Sequence, residues 1–217
     1  MTSITGNDLV TTFQAIADAI ASEKERLSRL DGTIGDGDHG VTMDTGFQAV
    51  VRALGQLSPG SADPTTVFNA AAKSFLNAVG ASAGPLYATA FMRAGAACKG
   101  KATLDRDGTV AALSAMARGI QDRGKAERGE KTMLDVWLPA AEAAELARAQ
   151  GGGLGECLRS AVEAANAGAE ATKGMIAAKG RASRLGERSL GHMDPGAASA
   201  AIVLEAMSAR LGAAGRE

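Results

Sequence analysis

Three carboxylates, four glycines and a histidine fall within Asp31-Gly32-Thr33-Ile34-Gly35-Asp36-Gly37-Asp38-His39-Gly40. Glycine carries no Cβ, so a segment this rich in it can fold tightly and aim its aspartates at one point. Aspartates that converge repel: at about 4 Å and an effective dielectric near 20, each like-charged pair costs roughly 4 kcal/mol. A hard cation removes that cost, and all-oxygen ligands suit Mg²⁺ or Ca²⁺ rather than Zn²⁺. The stretch is therefore read as a divalent-metal site. The plain alternative is an Asp/Gly-rich surface turn.

Other readings of the same residues fail on context. Gly35 to Gly40 matches G-x-G-x-x-G, but a dinucleotide fingerprint needs a preceding strand, and Ile16 to Leu30 has helical spacing. Two carboxylates inside the glycine pattern would also repel a pyrophosphate unless a metal intervened. Counting an EF-hand from Asp36 puts Phe47 at the twelfth position, where a bidentate Glu is required. No Walker A pattern occurs, and His39 and His192, the two histidines, lack the i, i+4 pairing of a zinc protease helix.

The 217 residues can bury a sizeable core as one domain or two small ones. A net charge of −1 implies no pull toward nucleic acid or an anionic membrane, and 3% aromatics disfavours base stacking and β-rich folds. Cys98 and Cys157 are too few and too far apart for a disulfide scaffold, which fits a reducing cytoplasm. No signal peptide opens the chain. Ser74 to Met92 is uncharged, but Gly80, Gly84 and Pro85 interrupt it, so a membrane span is rejected.

Eight helices position these residues. The first starts at the capping box Thr5-x-x-Asp8 and buries Leu9, Phe13, Ile16, Ile20 and Leu27. The second runs from about Thr42 to Leu57, and the third starts at Asp63-Pro64 and ends near Val79. The fourth follows the Gly80-to-Gly84 turn and Pro85 and reaches about Cys98. After a plain loop, Gly100 to Asp107, the fifth carries Val110, Leu113, Met116 and Ile120. Thr132, with Asp135 three residues on, caps the sixth, which buries Trp137 and Leu138. The seventh has the stripe Leu154, Leu158, Val162, Ala165, Ala169 and Ile176, and Asp194-Pro195 opens the eighth. Short loops favour antiparallel neighbours, so the fold class is all-α, an eight-helix up-and-down barrel or bundle.

That topology sends the first, third, fifth and seventh connections to one rim, and these four hold the unusual chemistry. Helix N-termini there attract phosphoryl oxygens, with Ser82 and Gly196 well placed to supply N–H groups. Phosphoryl transfer asks a protein for positioning, metal and cations where charge spreads. Arg181, Arg184 and Arg188 are candidates for that last role, against the alternative of a solvated basic face. On composition alone, Met133 is a core residue.

Four segments then resemble one family in the right order: Ile34 to Gly40, the Gly80-to-Tyr87 turn, Gly129-Glu130-Lys131-Thr132-Met133-Leu134-Asp135, and Gly180-Arg181-Ala182-Ser183 with Gly191-His192-Met193-Asp194-Pro195-Gly196-Ala197. The chain resembles the nucleotide-binding L subunit (DhaL) of dihydroxyacetone kinase, a domain that also forms the C-terminal part of single-chain ATP-dependent kinases. The resemblance spans nearly the whole chain, so 1–217 is taken as a single nucleotide-binding domain.

It implies an eight-helix antiparallel barrel holding ADP or ATP with two Mg²⁺, and Asp31, Asp36 and Asp38 as metal ligands. It also implies nucleotide contacts from His39, Gly40, Val41, Thr42, Ala81, Ser82, Gly124, Met133, Arg181, Asp194, Pro195 and Gly196, with Asp36, Asp38 and Arg181 serving transfer. The acceptor ketose would sit on a separate K subunit, with a phosphocarrier protein as a further partner and a homodimer left open. Thr42 stands where relatives often have Asn, and Ala81 and Ala83 replace small Gly/Ser positions. Whether ADP stays bound or ATP exchanges, and whether the ketose has three or four carbons, stays open. So do two other classes: a non-catalytic nucleotide- or metal-sensing module, and a metal-dependent hydrolase.

Overall fold

Thr5 opens the first helix with both halves of its capping box: its hydroxyl accepts from Asp8 N–H at 3.2 Å while the Asp8 carboxylate accepts from Thr5 N–H at 2.7 Å. The computed structural model describes residues 3–57, 62–80 and 83–214. Among them are α1 (Gly6–Ile34), α2 (His39–Leu54), α3 (Pro64–Ala78), α4 (Ala83–Ala97), α5 (Arg106–Gly124), α6 (Leu134–Ala149), α7 (Leu154–Ala171) and α8 (Pro195–Ala214). Two 3-10 segments, Thr172–Gly174 and Arg181–Ser189, lie between α7 and α8. Each α-helix packs on the next, and α8 returns to α1, which closes the ring into a barrel. The expected all-α architecture is what forms. The closest approach to a strand among the described residues is one bridge, in which Ile4 and Leu104 exchange N–H···O bonds of 2.7 and 2.8 Å.

Few aromatics suffice because they are concentrated. Phe13, Phe47, Phe68, Phe75, Tyr87, Phe91 and Trp137 form one continuous set of edge-to-face and tilted contacts inside the barrel. Such pairs add about 0.5–1.5 kcal/mol each beyond their area. Opposite them, α8 presents buried Ala197, Ala198, Ala200 and Ala201, whose small side chains admit close helix approach.

Several boundaries move. The first helix continues to Ile34, so Asp31 lies in its last turn rather than in a loop. Gly37, at φ +80°, turns the chain sharply enough that α2 resumes at His39, three residues before Thr42. Asp105 caps α5 by accepting from Gly108 N–H at 2.7 Å, which shortens the expected loop. Leu138 is half-buried rather than buried. Ile176 is 46% exposed because α7 ends at Ala171 and Met175 is extended, so the helical period no longer applies there. Ser74 to Met92 is divided between α3 and α4, and no helix of the described residues is long and apolar enough to cross a membrane.

The α1–α2 contact is set by Gly40, where a Cβ would stand 2.0 Å from the Lys24 carbonyl oxygen and 2.7 Å from Ser28 Oγ. Backbone cannot yield as a flexible side chain does. Gly40→Ala is expected to lower stability by about 2–3 kcal/mol, a fall of roughly 4–12 °C in Tm for a chain this long. Gly153→Ala, with nothing within 4 Å of the new methyl group, should stay within about 1 kcal/mol. Equal melting curves for the two variants would contradict the close approach.

Candidate functional site

Asp31 in the last turn of α1, Asp36 in the connection and Asp38 at the start of α2 bring one carboxylate oxygen each to within 4.8 Å of the others. The chain is built around the first of them. Asp31 is 9% exposed, and its Oδ2 accepts from His39 N–H at 3.2 Å. A Cβ on Gly35 would stand 2.1 Å from Asp31 Oδ1, so any larger residue there would push that carboxylate out of its present place. Asp36 and Asp38 are exposed, and Asp38 makes no side-chain capping bond. Three anionic oxygens with few internal commitments fit a hard divalent cation. The Arg181 guanidinium reaches over to pair with Asp36 and stands 3.9 Å from the Asp38 carboxylate.

These carboxylates edge a cavity of about 610 Å³. Its wall is drawn from four stretches of chain, within 31–45, 78–86, 120–134 and 179–196. These are the connections α1–α2, α3–α4, α5–α6 and α7–α8 with their flanking turns, which places the chemistry-bearing segments on one rim. His39, Val41, Thr42, Gly124, Met133 and Arg181 all line it, as do Asp194, Pro195 and Gly196. Gly40 instead faces α1, and its part is packing. Ala81 and Ser82 lie outside the described residues.

The even-numbered helices begin at this rim, so their positive dipole ends face the cavity. At α8, Asp194 accepts from Ala197 N–H at 2.7 Å through its carboxylate and from Ala198 N–H at 2.9 Å through its carbonyl. Gly196 N–H is then the first-turn donor left for an anion among the described residues. Burial pushes the Asp194 carboxyl up to about 7, against the opposing pull of Ala197 N–H and the Lys131 charge. Burial likewise holds the His39 imidazole below its ordinary value, opposed by the Asp31 charge. His39 Nε2 lies 2.9 Å from Ser199 Oγ, and Ser199 is fully buried on α8.

Two residues at the site carry no signal that spacing would flag. Lys131 is 1% exposed, lines the cavity, and donates from Nζ to the carbonyls of Thr172 and His192. It sits inside a quoted motif, but a lysine between Glu130 and Thr132 reads as solvated. Ser199, in an alanine-rich helix, meets His39 only through the closure of α8 on α1 and α2. Asp135, by contrast, works as the cap that its spacing suggested, accepting from Gly129 N–H at 2.6 Å and Thr132 N–H at 2.9 Å.

Residues 33–209 match the DAK2 domain. The chain is 42% identical over 188 residues to the ADP-binding subunit DhaL of PEP-dependent dihydroxyacetone kinase 1 of Listeria innocua, covering 87% of this chain and 88% of that one. It is 36% identical to the ADP-binding subunit DhaL of the PEP-dependent dihydroxyacetone kinase of Escherichia coli, covering 95% and 97%. Among solved structures it is similar to the dihydroxyacetone kinase of C. freundii in complex with AMP-PNP and Mg²⁺, with a TM-score of 0.71 and 27% identity over 92% of this chain. It spans 33% of that longer protein.

Proposed function

Since this chain belongs to the DAK2-domain family, which includes the ADP-binding DhaL subunits of dihydroxyacetone kinases, we propose that it is the nucleotide-carrying phosphotransferase subunit of such a kinase. The observation that carries the reading is the meeting of three carboxylates at the mouth of a cavity walled by four helix connections. Asp31, Asp36 and Asp38 would hold Mg²⁺, two ions in this reading, whose chemistry is to neutralise and bridge phosphate oxygens. His39, Val41, Thr42, Gly124, Met133 and the Asp194-Pro195-Gly196 turn shape the wall for the nucleotide, with Ala81 and Ser82 as further contacts that the resemblance implies and Gly40 packing α2 on α1 beneath them. Arg181 supplies positive charge where it spreads onto the transferring group.

In transfer, the terminal P–O bond of the nucleotide breaks as the bond to a ketose hydroxyl oxygen forms, the ketose being held by a partner K subunit. The acceptor is assigned to the partner because the relatives this chain resembles are named as the ADP-binding subunit of their kinase. The likeness to PEP-dependent kinases favours ADP that stays bound and is recharged by a phosphocarrier protein, over ATP that exchanges each turn.

The test combines this chain, the ketose-binding subunit and dihydroxyacetone. With ATP alone, product should stop at about one equivalent of this chain; adding the phosphocarrier and PEP should restore continuous turnover. Continuous turnover on ATP alone defeats the bound-ADP mode. Release of free phosphate without acceptor supports a hydrolase instead, and tight nucleotide binding with no transfer under any combination supports a sensing module.

A further inference from the structure

Between α7 and α8 the chain makes an excursion, residues 173–193, that carries Arg181 to the mouth of the cavity. Its two ends are drawn together at one place. Lys131, arriving from the α5–α6 connection, donates from Nζ to the carbonyl of Thr172 at one end and to that of His192 at the other. Weaker ties lie alongside: Gly191 N–H donates to the Lys173 carbonyl at 2.8 Å, Ala178 N–H to the Glu130 carbonyl at 3.1 Å, and Asp194 N–H to Thr172 Oγ1 at 3.0 Å. All of these join neutral groups. The Lys179 ammonium also stands 3.6 Å from the Glu130 carboxylate, with both side chains partly exposed, whereas Lys131 is 1% exposed.

Two features say that this lysine is held there against local preference. Its backbone sits at φ +60°, a left-handed conformation that L side chains rarely adopt. Burial also disfavours its ammonium form, with Asp194 as the opposing charge. An ammonium has three donors and no acceptor, so it can bind carbonyl oxygens from separate strands of chain at once.

We propose that Lys131 is a positioning residue that clamps the base of the 173–193 excursion and thereby sets where Arg181 stands relative to Asp36. The inference rests on the phosphotransferase reading for its effect on transfer, but not for the clamp itself. Arg181 is held at the mouth by exposed carboxylates, paired with Asp36 and 3.9 Å from Asp38, contacts too weak on their own to fix a long side chain. The rigidity has to come from the backbone beneath it, and Lys131 closes that backbone.

The test is Lys131→Met, close in shape and without donors. Amide hydrogen exchange across 173–193 should quicken by tenfold or more, with the barrel helices unchanged; unchanged exchange in that segment overturns the clamp. Transfer turnover should fall about 10- to 100-fold while nucleotide affinity moves only a few-fold. In an Arg181→Ala background, Lys131→Met should cost little further turnover, because both changes remove the same placed charge. Additive losses would mean that Lys131 acts on stability alone and overturn the positioning role. If Lys131→Met does not fold, Lys131→Leu, also without donors, is read the same way, and Lys131→Gln, which keeps two N–H donors, should quicken exchange across 173–193 less than either. If Arg181→Ala leaves transfer unchanged, the role of Arg181 fails while the exchange result still decides the clamp.

Discussion

Asp36→Ala is expected to abolish Mg²⁺-dependent nucleotide binding while leaving the helices in place. Asp36 lies outside α1 and α2, is exposed, and the partner it pairs with is Arg181, so no element depends on it. Asp31 is a poorer choice for this purpose because its carboxylate also accepts from His39 N–H and is enclosed by Gly35. Loss of a residue that merely orients a metal ligand lowers metal affinity by about 10- to 100-fold, so loss of a ligand should exceed about 100-fold. The readout is a thermal shift. In the unchanged chain, Mg²⁺ with nucleotide at about 100 times the dissociation constant adds about 2.7 kcal/mol, or roughly 5–11 °C for this length. In Asp36→Ala that increment should vanish at the same concentrations, with far-UV dichroism unaltered. A retained Mg²⁺-dependent shift would reject Asp36 as a ligand.

What was legible in the sequence was whatever is decided within a few residues. The caps at Thr5, Asp63 and Asp194 work through hydrogen bonds three residues long, and the apolar face of α1 is a matter of helical period. The rim followed from counting: with short loops, alternate connections must share an end. Lys131 shows where such reading stops. Its burial depends on carbonyls 41 and 61 residues away, and nothing in Gly129-Glu130-Lys131-Thr132 announces them. Ser199 is the same case across 160 residues, meeting His39 through ring closure alone. Ile176 failed for a local reason: the stripe was extended past Ala171, where a 3-10 turn and an extended residue change the period. Met133 answers to both readings: it is a buried member of the hydrophobic core, as composition suggests, and it also lines the cavity, as the resemblance implies.

Arg181→Ala is expected to lower transfer far more than it lowers nucleotide affinity. The guanidinium pairs with Asp36 and stands near Asp38, which places its charge at the cavity mouth, on the side where the proposed acceptor would enter. A cation held by the same aspartates would compete for those carboxylate oxygens and leave the guanidinium free to meet the transferring group of the proposed reaction. Its side chain is 60% exposed, so contact with ground-state phosphates is screened and should contribute less than tenfold to affinity. In the proposed reaction a partner subunit over the mouth would exclude water, and the same charge would then act in a lower dielectric on charge that develops only in transfer. Arginines in that position contribute about 10³ to 10⁵ in turnover, and a placement this exposed belongs at about 10³. Turnover and nucleotide affinity are measured on the assembled kinase, with Arg188→Ala, on the same excursion, as the control for general loss of positive charge. If Arg181→Ala lowers affinity and turnover by equal factors, the residue binds ground-state phosphate and has no special claim on the transition state.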